Sequence, residues 1–255
     1  MTDAAFSWIT MALWVVLLAA YAIRVARFGS FRSVRVGSVG GSLLLGEDVM
    51  QATYWAIDPA VRSLVALGVT ANGVTWFALF TGMAAGAAVA AGWFGLACLL
   101  ATISTICDIL DGQLARLTRT GSNAGELLDA AVDRYTEFAF VAGFILFAHD
   151  SPVQIVIALA ALLAGFMISY SSAKAEAMHV AAPRGLMRRH ERALYLILGA
   201  GLTPVFGPWL HGMWAALPPS SVFIACLAIV ASIGNVSAIW RFSTIRRQLR
   251  LDPRK

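Results

Sequence analysis

Charge is scarce in this sequence: Asp, Glu, Lys and Arg make up 13% of its 255 residues, whereas a soluble domain carries about 25%. A water-facing surface for the whole chain cannot be drawn from that stock, and 59% of the residues are hydrophobic. Cysteine is scarce too. Cys98, Cys107 and Cys226 lie in apolar runs, at spacings that suit neither a disulfide framework nor a zinc site. They read as small buried thiols. The sequence has no internal repeat, and no basic patch interleaved with aromatics for base stacking, so nucleic acid is not an expected partner. The net charge of +5 fits anionic lipid headgroups better. No positive residue precedes the first apolar run, whereas Arg24, Arg27, Arg32 and Arg35 follow it. That order is the reverse of a signal peptide's, and it makes the run a retained anchor with the N-terminus outside.

What the chain has instead is apolar length. A spanning helix needs about 20 apolar residues, and the candidate runs are 6–23, 72–92, 94–106, 138–149, 153–175, 194–210 and 221–240. The third and fourth are short only because polar residues follow one and precede the other. With the N-terminus outside and every run crossing, the cytoplasmic segments are 24–71, 107–137, 174–193 and 241–255, and all 19 Lys and Arg residues fall in them. A partition that complete is the positive-inside pattern. The chain then divides into an anchor (1–23), an interfacial segment (24–71) with an amphipathic stretch at 49–67, a membrane core (72–240) and a basic tail (241–255). The expected fold is all-α and membrane-embedded, in a prokaryotic inner or cell membrane. Trp93, Trp209, Trp214 and Trp240 stand near the ends of runs, as interfacial aromatics do. Gly82 and Gly86 in the second run point to close helix packing.

The chemistry is concentrated where two runs meet. Asp108 and Asp111 close one helix at i, i+3, and Asp129 and Asp133 open the next at i, i+4. Each pair shares one helical face. A short connection makes the helices antiparallel, so four carboxylates meet near the cytoplasmic edge of the bilayer. Ionised acids at that depth are costly and mark function. Only Arg116, Arg119 and Arg134 stand nearby in sequence to offset them. Such a cluster calls for cations, and carboxylate oxygens suit Mg2+ or Mn2+, with four acids able to hold two ions. A two-metal centre clamps the attacking and leaving oxygens of a phosphoryl displacement. Gly112, Ala115 and Gly125 lack bulky side chains beside the acids, which opens room for a large group; tight helix packing is the competing reading.

Asp-x2-Asp-Gly-x2-Ala-Arg-x8-Gly-x3-Asp-x3-Asp, matched at 108, 111, 112, 115, 116, 125, 129 and 133, resembles the signature of the CDP-alcohol phosphotransferases. The resemblance implies that family's six-helix core over roughly residues 50–245, with 6–23 as an added N-terminal transmembrane helix. It implies transfer of a phosphatidyl group from CDP-diacylglycerol to an alcohol, with loss of CMP. Asp108, Asp111 and Asp129 would ligate two metals and Asp133 would complete the cage, also serving as the base that takes the acceptor's hydroxyl proton. Asp108, Gly112, Ala115, Arg116 and Gly125 would seat the CDP moiety. The stretch 70–75 resembles the family's Pro-Asn/Asp-x2-Thr element, with Ala71 in place of the proline, so Asn72 and Thr75 join the CDP-binding set. The family also suggests a homodimer.

A second polar cluster follows the fifth run. Lys174, Arg184, Arg188, Arg189 and Arg192 share the acids' side of the membrane. Ordinary positive-inside charge is one reading; an anion site is the other, because arginine forks suit phosphate oxygens. The cluster resembles the phosphatidylinositol-phosphate synthases, whose Ile-Ser-Tyr-x-Lys-Ala-Arg-Ala-Glu and Glu-Arg-x-Glu-Arg segments match here at Lys174 and Glu176, then at Arg189, Glu191 and Arg192. Lys174, Arg189 and Arg192 would bind a phosphorylated acceptor such as inositol phosphate. Ser172 stands where that group has lysine, and Lys174 where it has arginine, so glycerol 3-phosphate is the rival. The four histidines are scattered and pair with no nucleophile. Two other classes remain. Intramembrane prenyltransferases use paired Asp motifs in separated halves of the chain, whereas both pairs here lie between 108 and 133. An ion-coupled transporter would show repeats or broken helices at the midplane, and neither is visible.

Overall fold

The structure, a computed structural model, describes residues 2–29, 46–183 and 185–251. Among them are eight helices: α1 (Asp3–Phe28), α2 (Gly46–Ala66), α3 (Ala71–Ala90), α4 (Phe94–Leu117), α5 (Asn123–Phe147), α6 (Pro152–Ala177), α7 (Arg189–Met213) and α8 (Ser221–Leu251). Local chemistry sets several of these limits. Thr70 and Ser122 cap α3 and α5, accepting from Gly73 N and Gly125 N at 3.1 Å each, and such caps satisfy amides that helix geometry leaves orphaned. Pro152 starts α6 at a position where its missing N–H costs nothing. Gly92, at φ +79°, makes the turn from α3 into α4.

Six helices, α1, α3, α4, α6, α7 and α8, are long and apolar enough to cross a membrane. The fourth expected crossing, α5, is long enough as well, since its 25 residues span about 37 Å at 1.5 Å per residue. Glu126, Asp129, Asp133, Arg134 and Glu137, in its first fifteen residues, make that part of it less apolar than the spans of the six others. The helices overrun the apolar runs at the site end: α4 continues from 106 to Leu117, and α5 begins at Asn123 rather than 138. The expected tail from 241 is, as far as Leu251, a continuation of α8. The amphipathic stretch at 49–67 is α2. Residues 30–45 with Arg32 and Arg35, Arg184, and residues 252–255 lie outside the described residues.

Helices α3, α4, α7, α8, α6 and α5 pack in that order around a ring that closes from α5 back to α3. Helix α1 lies outside it against α4 and α7, and α2 lies against α1 and α4. The α3–α5 contact is close, and glycines permit it, Gly86 among those expected to pack tightly. A Cβ on Gly86 would run into the Ala139 carbonyl, and one on Gly143 into the Gly86 carbonyl. Helix α1 is tied on through polar groups: the Asp3 carboxylate accepts from Leu96 N at 3.1 Å, capping α4 from another helix, and Ser7 and Thr10 are buried in the contact.

The ring interior is polarised. Phe94, Phe140 and Phe144 pack around Phe223, with ring centroids 4.9–6.0 Å away, while the acids occupy the opposite end. Outward faces are apolar. Leu13, Val15 and Val16 of α1, Leu146 of α5, and Val236 and Ile239 of α8 are all more than half exposed, which suits lipid and not water. Trp93, Trp209 and Trp214 are exposed at or near helix ends, as expected, whereas Trp240, also exposed, lies within α8 because that helix runs on to Leu251.

Candidate active site

The last turns of α4 and the first turns of α5 bring the acids together. Asp108, Asp111 and Asp129 each offer an oxygen, and the three oxygens lie within 4.8 Å of one another. Asp111 is 5% exposed, and its Oδ2 accepts a 2.6 Å hydrogen bond from the hydroxyl of Thr75 on α3. Asp129 Oδ1 is buried without a hydrogen-bond partner among the described residues. A carboxylate oxygen left bare inside a protein is costly, and a hard divalent cation answers that need. The donor set therefore fits a metal such as Mg2+ or Mn2+.

Asp133, the fourth of the expected carboxylates, lies beside Asp108, and one guanidinium pairs with both. Arg189, at the start of α7, forks onto Asp108, with Nη1 donating to Oδ2 at 2.9 Å and Nη2 lying 2.8 Å from Oδ1. The same Nη2 pairs with Asp133 Oδ1. Asp133 is 8% exposed. Of the three arginines expected to offset the acids, Arg134 reaches Asp133 Oδ2 only at 3.7 Å, and its Nη1 donates to the Ala130 carbonyl at 2.6 Å. Arg116 turns back over its own helix. A counter-charge not expected from local sequence, Arg189, comes from 81 residues away, a placement that depends on closing the ring.

The small residues and the α3 element flank the acids. A Cβ on Gly112 would lie 3.3 Å from Arg116 Nη1, and one on Gly125 would lie 3.6 Å from Asn72 Oδ1. Asn72 and Gly125, at the starts of α3 and α5, therefore sit side by side. Ala115 is half-buried one turn beyond Gly112. Behind the acids a cavity runs into the ring, from Asp108, Asp133 and Arg189 past Glu137 to Phe140 and Leu196.

The expected acceptor residues are scattered. Arg189 is in the acid cluster. Lys174 is exposed on the last turn of α6 and does not line the cavity. Arg192 is 1% exposed and faces inward. Its Nε and Nη2 donate to Glu137 Oε1 and Oε2 at 2.6 and 2.8 Å, and its Nη1 donates to the Met187 carbonyl at 2.9 Å. Three of the five N–H groups a guanidinium carries are spent there. Glu137 was not singled out from the sequence. It continues the i, i+4 face of Asp129 and Asp133, and that periodicity was the available signal.

A family model described as CDP-alcohol phosphatidyltransferase matches residues 68–234, well over half the chain. The chain is 30% identical over 183 residues to a phosphatidylinositol phosphate synthase of Corynebacterium glutamicum, covering 68% of this chain and 82% of that one. It is 29% identical over 206 residues to the enzyme of that name from Cutibacterium acnes, covering 76% and 94%. Among solved structures, Mycobacterium tuberculosis phosphatidylinositol phosphate synthase with CDP-DAG bound superposes with a TM-score of 0.64 at 24% identity, over 73% of this chain and 92% of that one. The manganese and citrate complex of the same enzyme gives a TM-score of 0.64 at 23% identity, over 73% and 87%. These two likenesses concern the fold.

Proposed function

This chain belongs to the CDP-alcohol phosphatidyltransferase family, and from that premise we propose that it moves the phosphatidyl group of CDP-diacylglycerol onto a phosphorylated alcohol, with inositol phosphate the leading acceptor and CMP the leaving product. The observation that carries the proposal is the carboxylate trio from two helices, with Asp133 and Arg189 at its edge.

In this reading Asp108, Asp111 and Asp129, with Asp133 completing the set, hold two divalent ions, Mg2+ or Mn2+. Bound there, the ions supply charge that polarises the pyrophosphate and stabilises the departing CMP. The remaining work falls to the chain. Asn72, Thr75, Gly112, Ala115, Arg116 and Gly125, with Asp108, seat the CDP moiety; the placement of Gly125 beside Asn72 and of the turned-back Arg116 over Gly112 supports that assignment. Asp133 accepts the proton of the acceptor hydroxyl as its oxygen bonds to the β-phosphorus and the phosphoanhydride bond to CMP breaks. Holding acceptor and donor in line supplies proximity as well as charge stabilisation. Arg189 is the acceptor-side cation beside the acids. Arg192 stands behind it with two N–H groups in reserve, and Lys174 lies at the α6 end of the same face.

Glycerol 3-phosphate is the alternative acceptor, supported by Ser172 and Lys174, which depart from the inositol-phosphate pattern. The complete partition of the 19 basic residues supports a cytoplasmic site with the N-terminus outside, and the family suggests a homodimer. The test is CMP release from CDP-diacylglycerol across inositol 1-phosphate, glycerol 3-phosphate, free inositol, serine and phosphatidylglycerol. Release with inositol 1-phosphate alone is the expected result. Release with a non-phosphorylated acceptor alone would overturn the acceptor assignment.

A further inference from the structure

We propose that Glu137 is a positioning residue, which acts through Arg192 to set where Arg189 stands relative to Asp108 and Asp133. Helices α5 and α7 are not neighbours in the ring; α3 and α4 lie between them on one side, α6 and α8 on the other. Direct α5–α7 packing therefore contributes little to the distance between the helix that carries Asp133 and the one that carries Arg189. The Glu137–Arg192 pair spans that gap. It is bidentate, at 2.6 and 2.8 Å, with the two side chains 17% and 2% exposed.

The third donor of Arg192 completes the device. Nη1 holds the Met187 carbonyl at 2.9 Å, and Met187 is a buried, non-glycine residue at φ +56°. A side chain in the left-handed region persists only where its surroundings over-determine it. From this turn the chain enters α7 through Arg188, whose N–H donates to Glu191 Oε2 at 3.0 Å, and the next residue is Arg189. One guanidinium thus fixes both the turn before Arg189 and the α5–α7 spacing beneath it. From the other side, α6 admits the pair only because residue 165 is glycine: a Cβ there would lie 3.0 Å from Glu137 Cδ and 3.1 Å from Arg192 Nε.

The inference rests on the reading of Arg189 as an acceptor-binding cation, and its test separates the two. Acceptor and donor KM and kcat are measured for Glu137→Gln, Gly165→Ala, Arg189→Gln and Glu137→Gln/Arg189→Gln, with thermal melts of each in detergent. Gly165→Ala removes no charge and presses on the pair from α6, so it reports even where Glu137→Gln fails to fold. A misplacement of about 1 Å costs up to 10²-fold at a reacting centre, so Glu137→Gln and Gly165→Ala should each raise the acceptor KM about tenfold with donor KM within about twofold, whereas Arg189→Gln, which removes the cation beside Asp108 and Asp133, should raise the acceptor KM at least as much and lower kcat as well. The double variant should behave like Arg189→Gln alone, because residues acting as one unit are not additive. A lowered melting temperature with an unmoved acceptor KM would reduce the pair to scaffolding and overturn the proposal, as would full additivity in the double variant. If Arg189→Gln itself leaves the acceptor KM unmoved, the acceptor reading falls and takes this inference with it.

Discussion

Replacing Thr75 by valine removes one hydroxyl and keeps the side-chain shape. That hydroxyl donates to Asp111 Oδ2 at 2.6 Å in a buried contact, and it is the one described link from α3 to the carboxylate trio. A hydrogen bond to a charged group contributes about 1.5–3 kcal/mol, and 1.4 kcal/mol is tenfold in an equilibrium constant. Groups that orient metal ligands from behind typically govern 10–100-fold of metal affinity or activity. The two estimates agree, so Thr75→Val should raise the Mn2+ or Mg2+ concentration for half-maximal CMP release by about 10–100-fold. Activity should return at saturating metal and donor, and Thr75→Ser should resemble the parent. The assay is a metal titration of CMP release from CDP-diacylglycerol micelles. A half-saturating metal concentration within about twofold of the parent, in folded Thr75→Val, would refute the assignment of Asp111 to the metal.

Gly86→Val drives a side chain into the Ala139 carbonyl across the α3–α5 contact; overpacking of this kind costs about 1–3 kcal/mol, and a lower melting temperature in detergent should register it. Asp3→Ala deletes the acceptor at Leu96 N; loss of a helix cap costs about 0.5–2 kcal/mol, visible as weaker protection of the α4 N-terminus in hydrogen exchange with kcat unchanged. Arg189→Lys keeps the charge but loses the fork onto Asp108. It should raise the acceptor KM, whereas exposed Lys174→Met should do so less, in side-by-side kinetics.

The acid motif was legible because it is local: Asp108 and Asp111 at i, i+3, and Asp129 and Asp133 at i, i+4, meet as soon as two helices form an antiparallel pair. Hydropathy found the crossings but stopped α4 at 106 and delayed α5 to 138, because it registers residues that face lipid and not a polar face turned into a ring. Contacts that cross the ring were not legible. Arg189 reaches Asp108 over 81 residues, and Arg192 reaches Glu137 over 55. In sequence the basic cluster reads as positive-inside charge or as an anion site, the latter favoured; in the fold its members part. Arg189 joins the acids, Arg192 turns inward, and Lys174 stays exposed. The same closure brings that distant guanidinium onto Asp133.

The central claim is that the carboxylates hold metal for phosphatidyl transfer with release of CMP. It is tested most directly by CMP release from CDP-diacylglycerol, in purified parent protein and Asp129→Asn, with divalent metal and with excess chelator. The account predicts acceptor-dependent release in the parent, its loss with chelator, its return on adding Mn2+ or Mg2+, and little release from the variant at any metal concentration. Undiminished release in chelator, or from folded Asp129→Asn, would contradict it.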